Sequence, residues 1–333
     1  MWEAVDALIA RAPGPGALTE HRLHLLAASR AQRSGGAPDP GHARDRILAA
    51  AVELSVPVVL GAVRAAWDGR LVLLKGPEVA RRYPAPATRP YGDLDLLTTD
   101  PEATQRALLH AGFREIGEPA LYTGIHHLRP LWLPGTPLTV ELHAWPKWPA
   151  WSAPPRAEEL LEAAVPGSVG AEGIEVLPPE HHAIVLAAHS WAHVPLARAG
   201  HLVDIAAVLA DADAAQAAAL ARRWGCGRMW RTTSTAVGSL LGGDRCAATA
   251  IWARHLLATR ERTVLEAHAE AWLSPLWGVP LRRAPGAVGA ALAGDLLPES
   301  REGWRAKLAR SGRAVVDARL PRSDHERALE ARR

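Results

Sequence analysis

Residues 71–98 read LVLLKGPEVARRYPAPATRPYGDLDLLT, and a strand is predicted at each end of this segment. Its first part, Leu71 to Gly76, is an apolar run closed by glycine, which predicts a buried strand. Its last part, Asp93 to Thr98, is again strand-like, and Asp93 and Asp95 alternate there with leucines. Because residues i and i+2 of a strand project from one face, the two carboxylates should stand side by side while the leucines point to a core.

A second acidic strand is predicted from Leu138 to His143, where apolar and polar residues alternate with period 2. Glu141 and His143 therefore share one face. Neighbouring carboxylates repel each other unless a cation lies between them, and Mg²⁺ or Mn²⁺ suits a few carboxylate oxygens, completed by water and substrate phosphates. We predict a divalent-metal site made of Asp93, Asp95 and Glu141, which are also the predicted catalytic residues.

Basic residues near these strands suit phosphate chemistry. Lys75 and Arg89 would supply cations for a nucleoside triphosphate such as ATP, and Gly76 would let backbone amides approach its phosphates closely. Three carboxylates around metal suit nucleotidyl transfer, in which metal activates an attacking hydroxyl and stabilises the leaving pyrophosphate. His143 shares the face of Glu141 and would contact the nucleotide phosphate or the acceptor, or else orient the metal ligands.

These residues occur in the order Lys75-Gly76, Arg89, Asp93-Leu94-Asp95 and Glu141-Leu142-His143. This ordered set resembles the polymerase-beta-like nucleotidyltransferases, and within them a bacterial family of uncharacterised nucleotidyltransferases. The resemblance covers the chain from Leu71 to Trp145, with weaker similarity in the helices up to Asp211. It implies an NTP co-substrate, a metal held by the acidic positions, and nucleotide contacts from Lys75, Gly76 and Arg89. The superfamily usually has Gly-Ser where this sequence has Lys-Gly.

The rest of the chain predicts an α+β protein. Its 333 residues suffice for two packed cores, and 48% hydrophobic with 22% charged residues indicates a globular fold. Beyond the acidic strands the sequence is rich in helical Ala/Leu patterns, including a long one from Ala248 to Trp272. We predict a helical lead-in, a small mixed sheet flanked by helices that forms the catalytic core, a helical domain that closes the cleft, and a C-terminal extension, at residues 1–67, 68–150, 151–280 and 281–333.

Several classes of protein are disfavoured by composition. The only two cysteines, Cys226 and Cys246, match neither a metal knuckle nor a redox pair. We find no apolar run near the roughly 20 residues that cross a bilayer, and the amino terminus lacks a basic region followed by an apolar block. We therefore expect a cytoplasmic enzyme without a membrane partner.

The acceptor is less well defined by the sequence. A net charge of +3 and a pI of about 9.2 would suit a polyanion, but only three of the 38 basic residues are lysines and the arginines are scattered. We favour a small-molecule or peptide acceptor over nucleic acid, and the resemblance adds a link to natural-product gene clusters. Two alternatives stay open: a toxin-type enzyme acting on tRNA or protein, and a catalytically degenerate binding or scaffold protein.

Histidines outside the acidic strands are ambiguous. His126 and His127 precede a predicted strand, where alternation lets only one of them face the site, and His127 is our candidate. His189 and His193 lie one helical turn apart, a spacing that could bind zinc, but we favour a helix that lines the cleft. Asp204 could reach the nucleotide from the same helical domain.

Overall fold

The computed structural model describes residues 1–122, 125–149, 151–193, 195–251, 253–298 and 303–330. Within these ranges, the side chains at 120, 121, 193, 248, 329 and 330 are not described. The strands are Val72–Leu73 (β1), Asp93–Leu97 (β2), Arg114–Glu115 (β3), Leu131–Trp132 (β4), Thr139–His143 (β5), Val165–Pro166 (β6) and Glu175–Val176 (β7).

Helices make up most of the remaining chain, with short 3₁₀ turns between some of them. They are Trp2–Ala10 (α1), Pro15–Glu20 (α2), His24–Arg33 (α3), Ala43–Ala66 (α4), Pro77–Ala80 (α5), Pro101–His110 (α6), Ala157–Ala163 (α7), Pro179–His193 (α8), Ala199–Leu209 (α9), Ala214–Arg223 (α10), Gly227–Gly242 (α11), Ala247–Ile251 (α12), Arg254–Ala258 (α13), Val264–Leu273 (α14), Pro275–Gly278 (α15), Ala284–Leu296 (α16), Trp304–Val316 (α17) and Arg322–Glu330 (α18).

The strands in the described part of the chain form one mixed sheet, in the order β3-β4-β5-β2-β1-β7-β6. At its centre β2 and β5 run parallel, and Asp95 lies opposite Glu141. The next pair on the same face is Leu97 opposite His143. β1 pairs with β2 in antiparallel orientation and with β7 in parallel orientation. The predicted α+β class with a small mixed sheet is confirmed.

The two faces of the sheet have different covers. Leu94 and Leu96 belong to an apolar cluster that they share with α4 and α6. Leu97 belongs to a second cluster, which it shares with α1, α8 and α9. Because strand positions alternate, Asp93 and Asp95 project from the face of Leu97. The acidic side chains therefore lie on the face that α1, α8 and α9 cover.

Two strands lie beyond residue 150, where the catalytic core was predicted to end. β6 and β7 extend the sheet beside β1, and the amide of Glu175 donates to the carbonyl of Leu71 over 2.9 Å. The buried side chains of Ile174 and Val176 belong to the apolar cluster shared with α4 and α6. Strands of two residues leave no periodic pattern in a sequence, which is why this return to the sheet was not anticipated.

The single long helix predicted from Ala248 to Trp272 is wrong. The structure has α12, α13 and α14 in its place. α13 ends at Thr259, whose φ of 46° is left-handed. Thr263 then begins α14 by forming a capping box with Glu266. Local end signals outweigh the Ala/Leu pattern here.

The expectation that no segment is apolar enough to cross a bilayer is also corrected. Within the described ranges one helical segment, Pro40–Ala66, is long and apolar enough to cross a bilayer by length and composition alone. Its apolar 18-residue window has a mean hydropathy of 1.8, and a third of that window is buried. The buried face of α4, which includes Val59 and Leu60, packs on the sheet, while Leu54 and Val58 on the other face are exposed.

A buried ion pair joins the loop before β2 to the helical domain. The Arg89 guanidinium donates to both carboxylate oxygens of Asp204 in α9, over 2.7 and 2.9 Å. Tyr83 donates its hydroxyl to the same carboxylate over 2.6 Å. Burial raises the pKa of Asp204, but the charge and hydrogen bonds of Arg89 outweigh burial and hold that pKa below its usual value. Such a pair is costly to break, because removing one partner leaves the other charge buried.

We expect Asp204→Asn to lower the free energy of unfolding by about 3–5 kcal/mol, since it leaves the buried Arg89 charge uncompensated. Urea unfolding followed by tryptophan fluorescence measures this. The matched control is Asp211→Asn, because Asp211 pairs with Arg82 over 3.0 Å but is half exposed; its cost should stay below about 1 kcal/mol. Equal losses in the two variants would contradict the importance given to the buried pair.

Candidate active site

Lys75 lies between the two carboxylates of β2. Its Nζ is 2.9 Å from Asp93 Oδ2 and 3.0 Å from Asp95 Oδ2. The chain turns sharply after it, because Gly76 has a φ of +73° and a Cβ there would lie 3.2 Å from the carbonyl oxygen of Asp93. Glycine therefore allows the β1–α5 turn to approach β2 closely enough for Lys75 to reach both acids.

The parallel pairing of β2 with β5 places two side chains of β5 beside Asp95. His143 Nε2 lies 3.0 Å from Asp95 Oδ1 and 3.6 Å from Glu141 Oε2. One ligand atom from each of these three residues lies within 4.8 Å of the other two, so they could hold a metal ion. Asp95 and His143 are almost fully buried, whereas Glu141 is partly open to solvent. The cluster thus has a rigid floor and one accessible side.

Charge balance in this cluster favours ionised acids. Burial raises the pKa of Asp95, but the charge of Lys75 and the nearby His143 outweigh burial and lower it far below its usual value. For Lys75 the same balance acts in reverse: burial lowers the pKa of its ammonium, and the charges of Asp95 and Asp93 raise it above its usual value. Burial lowers the pKa of His143 as well, but Asp95 and Glu141 raise it overall.

The donor set fits a divalent cation. Asp95 Oδ2 and both ring nitrogens of His143 are buried and have no aligned hydrogen-bond partner among the described residues. His127 donates Nδ1–H to the carbonyl oxygen of Leu128 over 2.7 Å. In the neutral form of the ring the lone pair is on Nε2, which lies 3.7 Å from Glu141 Oε2. A cation bound between these two atoms would contact one ligand atom of each residue.

Imidazole ligands bear on which metal would bind. Carboxylate oxygens alone suit Mg²⁺, whereas a set that adds His143 suits Mn²⁺ or other transition metals better. The site predicted from sequence was Asp93, Asp95 and Glu141. The structure brings Asp95 and Glu141 together with His143, and it connects Asp93 to the cluster through Lys75.

The cluster opens into a cleft of about 470 Å³, a volume typical of small-ligand sites. Asp93, Asp95 and Glu141 line one part of its wall, with Lys75 and Lys147. The remaining wall comes from segments far away in sequence and carries the arginines Arg22, Arg198, Arg260, Arg262 and Arg322. Carboxylates for a metal and cations for an anion therefore share one cleft.

The predicted histidines occupy different places. His127 and His189 both line the cleft. The ring of His189 lies 6.3 Å from that of His201, which also lines the cleft. The suggestion that His189 and His193 share a zinc ion concerns a side chain, that of His193, which lies outside the described residues.

Arg89 and Asp204 are brought together, but with each other rather than in the open cleft. Arg89 also donates a hydrogen bond from Nη1 to the carbonyl oxygen of Gly76 over 3.3 Å. The ion pair thus holds the turn that carries Lys75 against α9. Nucleotide contacts by Arg89 and Gly76 stay a prediction, and the structure adds a positioning role for both.

Some residues that line the cleft were not among the site residues predicted from the sequence. Lys147 lines the cleft, and a signal for it existed, because two of the three lysines in this arginine-rich chain, Lys75 and Lys147, lie there. Arg22 and Arg198 also line the cleft. No motif marks them, because they come from helix connections far from the acidic strands.

Comparison with known proteins identifies the family of the chain. The chain belongs to the family described as uncharacterised nucleotidyltransferase, whose model matches residues 60–242, more than half of the chain. The matched region contains the whole acidic cluster, with Lys75 and His143. No curated protein and no solved structure matches the chain significantly. The resemblance inferred from the sequence motifs is confirmed.

If the cluster binds metal, Asp95→Asn should weaken Mn²⁺ binding at least about tenfold, because it removes a charged ligand from the buried floor. Isothermal titration calorimetry on the nucleotide-free protein measures this. Glu102→Gln is the control, since Glu102 is an exposed acid on α6. Equal Mn²⁺ affinity in parent and Asp95→Asn would exclude the cluster as the metal site.

Lys75→Met should have two opposite effects. An incoming metal no longer competes with an ammonium at 2.9–3.0 Å, so Mn²⁺ should bind about tenfold tighter without nucleotide. ATP should bind more weakly, since one phosphate-binding cation is gone. The control is Lys147→Met, which removes the same charge from the cleft but leaves the ammonium between the acids. An unchanged Mn²⁺ affinity in Lys75→Met would refute the competition.

Proposed function

We propose that this protein is a metal-dependent enzyme that transfers a nucleoside monophosphate from an NTP to a hydroxyl or phosphate of a small-molecule or peptide acceptor. The acceptor oxygen forms a bond to the α-phosphorus, the bond to the β-phosphate oxygen breaks, and pyrophosphate leaves. A hydroxyl acceptor also gives up its proton. Family membership supports the reaction type, and the cleft supports the assignment of residues.

The observation that carries the proposal is the juxtaposition of Asp95, Glu141 and His143 with cations in one cleft. A divalent ion held by these three residues would neutralise phosphate charge and make an acceptor hydroxyl more acidic. Mn²⁺ or Mg²⁺ fits, and the imidazole favours Mn²⁺. Lys75 and Lys147 supply further positive charge for the triphosphate.

The protein's own groups can manage the acceptor proton. The neutral ring of His127 carries its lone pair on Nε2, because its Nδ1–H is donated to the carbonyl oxygen of Leu128. Nε2 can therefore accept a proton from a hydroxyl bound beside Glu141. Glu141 itself is the open acid of the cluster and can orient that hydroxyl.

The size of the cleft supports a small acceptor. A volume of about 470 Å³ can enclose a nucleotide but not a folded macromolecule. The toxin-type alternative would need tRNA or protein to present an end or loop at the cleft mouth. The degenerate-scaffold alternative is opposed by the intact set of three carboxylates and the lysine between two of them.

Metal-dependent nucleotide binding is the first test. We expect ATP, CTP, GTP or UTP to bind the parent in the presence of Mn²⁺ or Mg²⁺, and the affinity to fall at least about 100-fold in Asp93→Ala/Asp95→Ala, because metal and phosphate lose their shared anchor. Calorimetry with each NTP identifies the preferred base. Incubation of the α-³²P-labelled NTP with metabolite, peptide and tRNA fractions then identifies the acceptor class.

Glu102→Gln serves again as the charge-matched control and should bind and transfer like the parent. Absence of binding by all four NTPs with either metal would overturn the proposed function in favour of a scaffold. Label transferred only to tRNA or protein would replace the small-acceptor proposal with the toxin-type one.

A further inference from the structure

Arg22 has an unusual backbone. It lies between α2 and α3 with a φ of +56°, a left-handed conformation that non-glycine residues adopt at a steric cost. Glycine would fit this position without strain. A strained arginine persists where the surrounding structure holds it there, and such residues are concentrated at functional sites.

Contacts with the start of α9 hold Arg22 in place. The preceding residue, His21, is fully buried, and its Nδ1 accepts a hydrogen bond from the amide of Ala199 over 3.2 Å. Its carbonyl oxygen accepts another from the amide of Gly200 over 2.9 Å. Its Nε2 lies 2.8 Å from the carbonyl oxygen of Arg260. His21 therefore ties the Arg22 turn to two other parts of the chain.

Gly200 makes this close approach possible. A Cβ on Gly200 would lie 2.7 Å from the carbonyl oxygen of His21 and 3.1 Å from the Cβ of Arg22. The first distance is too short for real atoms, so any side chain at this position would push the Arg22 turn away from α9. The strained turn and the glycine that admits it form one arrangement.

The side chain that this arrangement places, that of Arg22, is a guanidinium that lines the cleft of the acidic cluster. It also lines a second, more open cleft of about 870 Å³. With the described residues its guanidinium makes no hydrogen bond and no ion pair. Arg198, which lines both clefts too, has its paired acid, Glu20, 3.8 Å away.

The surroundings of Arg22 concentrate positive charge. Desolvation is the largest effect on its guanidinium and lowers the pKa, and the charges of Arg198 and Arg89 lower that pKa further. The charges of Asp204 and Asp93 act in the opposite direction without reversing the result. Two guanidinium groups that disfavour each other, at the mouth of a cleft, are stabilised by an anion that both can contact.

We propose that Arg22 and Arg198 bind the β- and γ-phosphates of the nucleoside triphosphate. This inference rests on the proposed function, and it assigns a substrate-binding role to a segment that precedes the family match at residue 60. The guanidinium groups hold the phosphates that leave as pyrophosphate, while the acidic cluster takes the metal. The helical lead-in thus completes the active site.

The test uses Arg22→Gly in the full chain. Glycine relieves the backbone strain, so the thermal midpoint without ligands should stay the same or rise. With Mn²⁺ present, ATP and inorganic tripolyphosphate should each bind at least about tenfold more weakly than to the parent, because charge-assisted hydrogen bonds are lost. AMP, which lacks both terminal phosphates, should bind parent and variant equally. Arg44→Ala, at an exposed arginine of α4, is the control.

Gly200→Ala is an independent second variant. Its methyl group should displace the Arg22 turn and weaken ATP binding in the same sense, although Arg22 is still present. Gly238→Ala in α11 is matched to it, because a Cβ there meets no atom within 4 Å. This control should bind ATP like the parent.

The outcomes separate the two proposals. Equal ATP affinity in parent and Arg22→Gly would overturn the phosphate role of Arg22 while leaving the enzyme's proposed function intact. Weaker binding together with a lower thermal midpoint in the absence of ligands would assign Arg22 a structural role and overturn it too. Arg22-dependent binding of tripolyphosphate by a parent that binds no NTP would support the phosphate site and refute the nucleotidyl-transfer proposal.

Discussion

Parallel pairing of β2 with β5 is the constraint on which the site depends. It sets Asp95 opposite Glu141 and places His143 one step further along the same face. The antiparallel β1 on the other side of β2 brings the Lys75–Gly76 turn to the same region. A slip of one residue in β5 would turn Glu141 toward the apolar layer under α4 and α6, and that apolar layer therefore fixes the register.

The electrostatic consequence of this register is a group of acids that need a counter-charge. Lys75 supplies one for Asp93 and Asp95, while His143 lies 3.0 Å from the other oxygen of Asp95 and 3.6 Å from Glu141. Asp95 stays ionised although it is buried, because the nearby positive charge outweighs the desolvation. A site with this balance can exchange one cation for another, which is what a metal-dependent enzyme requires.

Segments from before and after the sheet complete the cleft. The Arg89–Asp204 pair joins the loop before β2 to α9, and His21 joins the amino-terminal helices to the start of the same helix. The sheet, the amino-terminal helices and the arginines that line the cleft are therefore all positioned against α9. This explains why a site centred on four residues of two strands draws on much of a 333-residue chain.

Local sequence was sufficient for the acidic face. Alternation in DLDLL and TVELH predicted which side chains share a face, because a strand has period 2 wherever it lies. The order of Lys75, Asp93, Asp95 and Glu141 was also sufficient for the family. The predicted single helix from Ala248 to Trp272 was wrong, because one helix ends at Thr259 and the next begins at Thr263. Capping interactions at these two residues outweigh an Ala/Leu-rich composition.

The residues that lie opposite the acidic face, or contact it, are brought there by the tertiary structure. The partner of Arg89, the place of His143 beside Asp95, and the presence of Arg22 and Arg198 in the cleft all depend on contacts between segments distant in sequence. Arg22 and Asp95 are far apart along the chain and no motif links them, because a cleft imposes charge and shape at its wall without imposing a spacing. The two acidic strands and their chemistry could therefore be predicted from local sequence, whereas the pairing of β2 with β5 and the packing around α9 brought the rest of the site together.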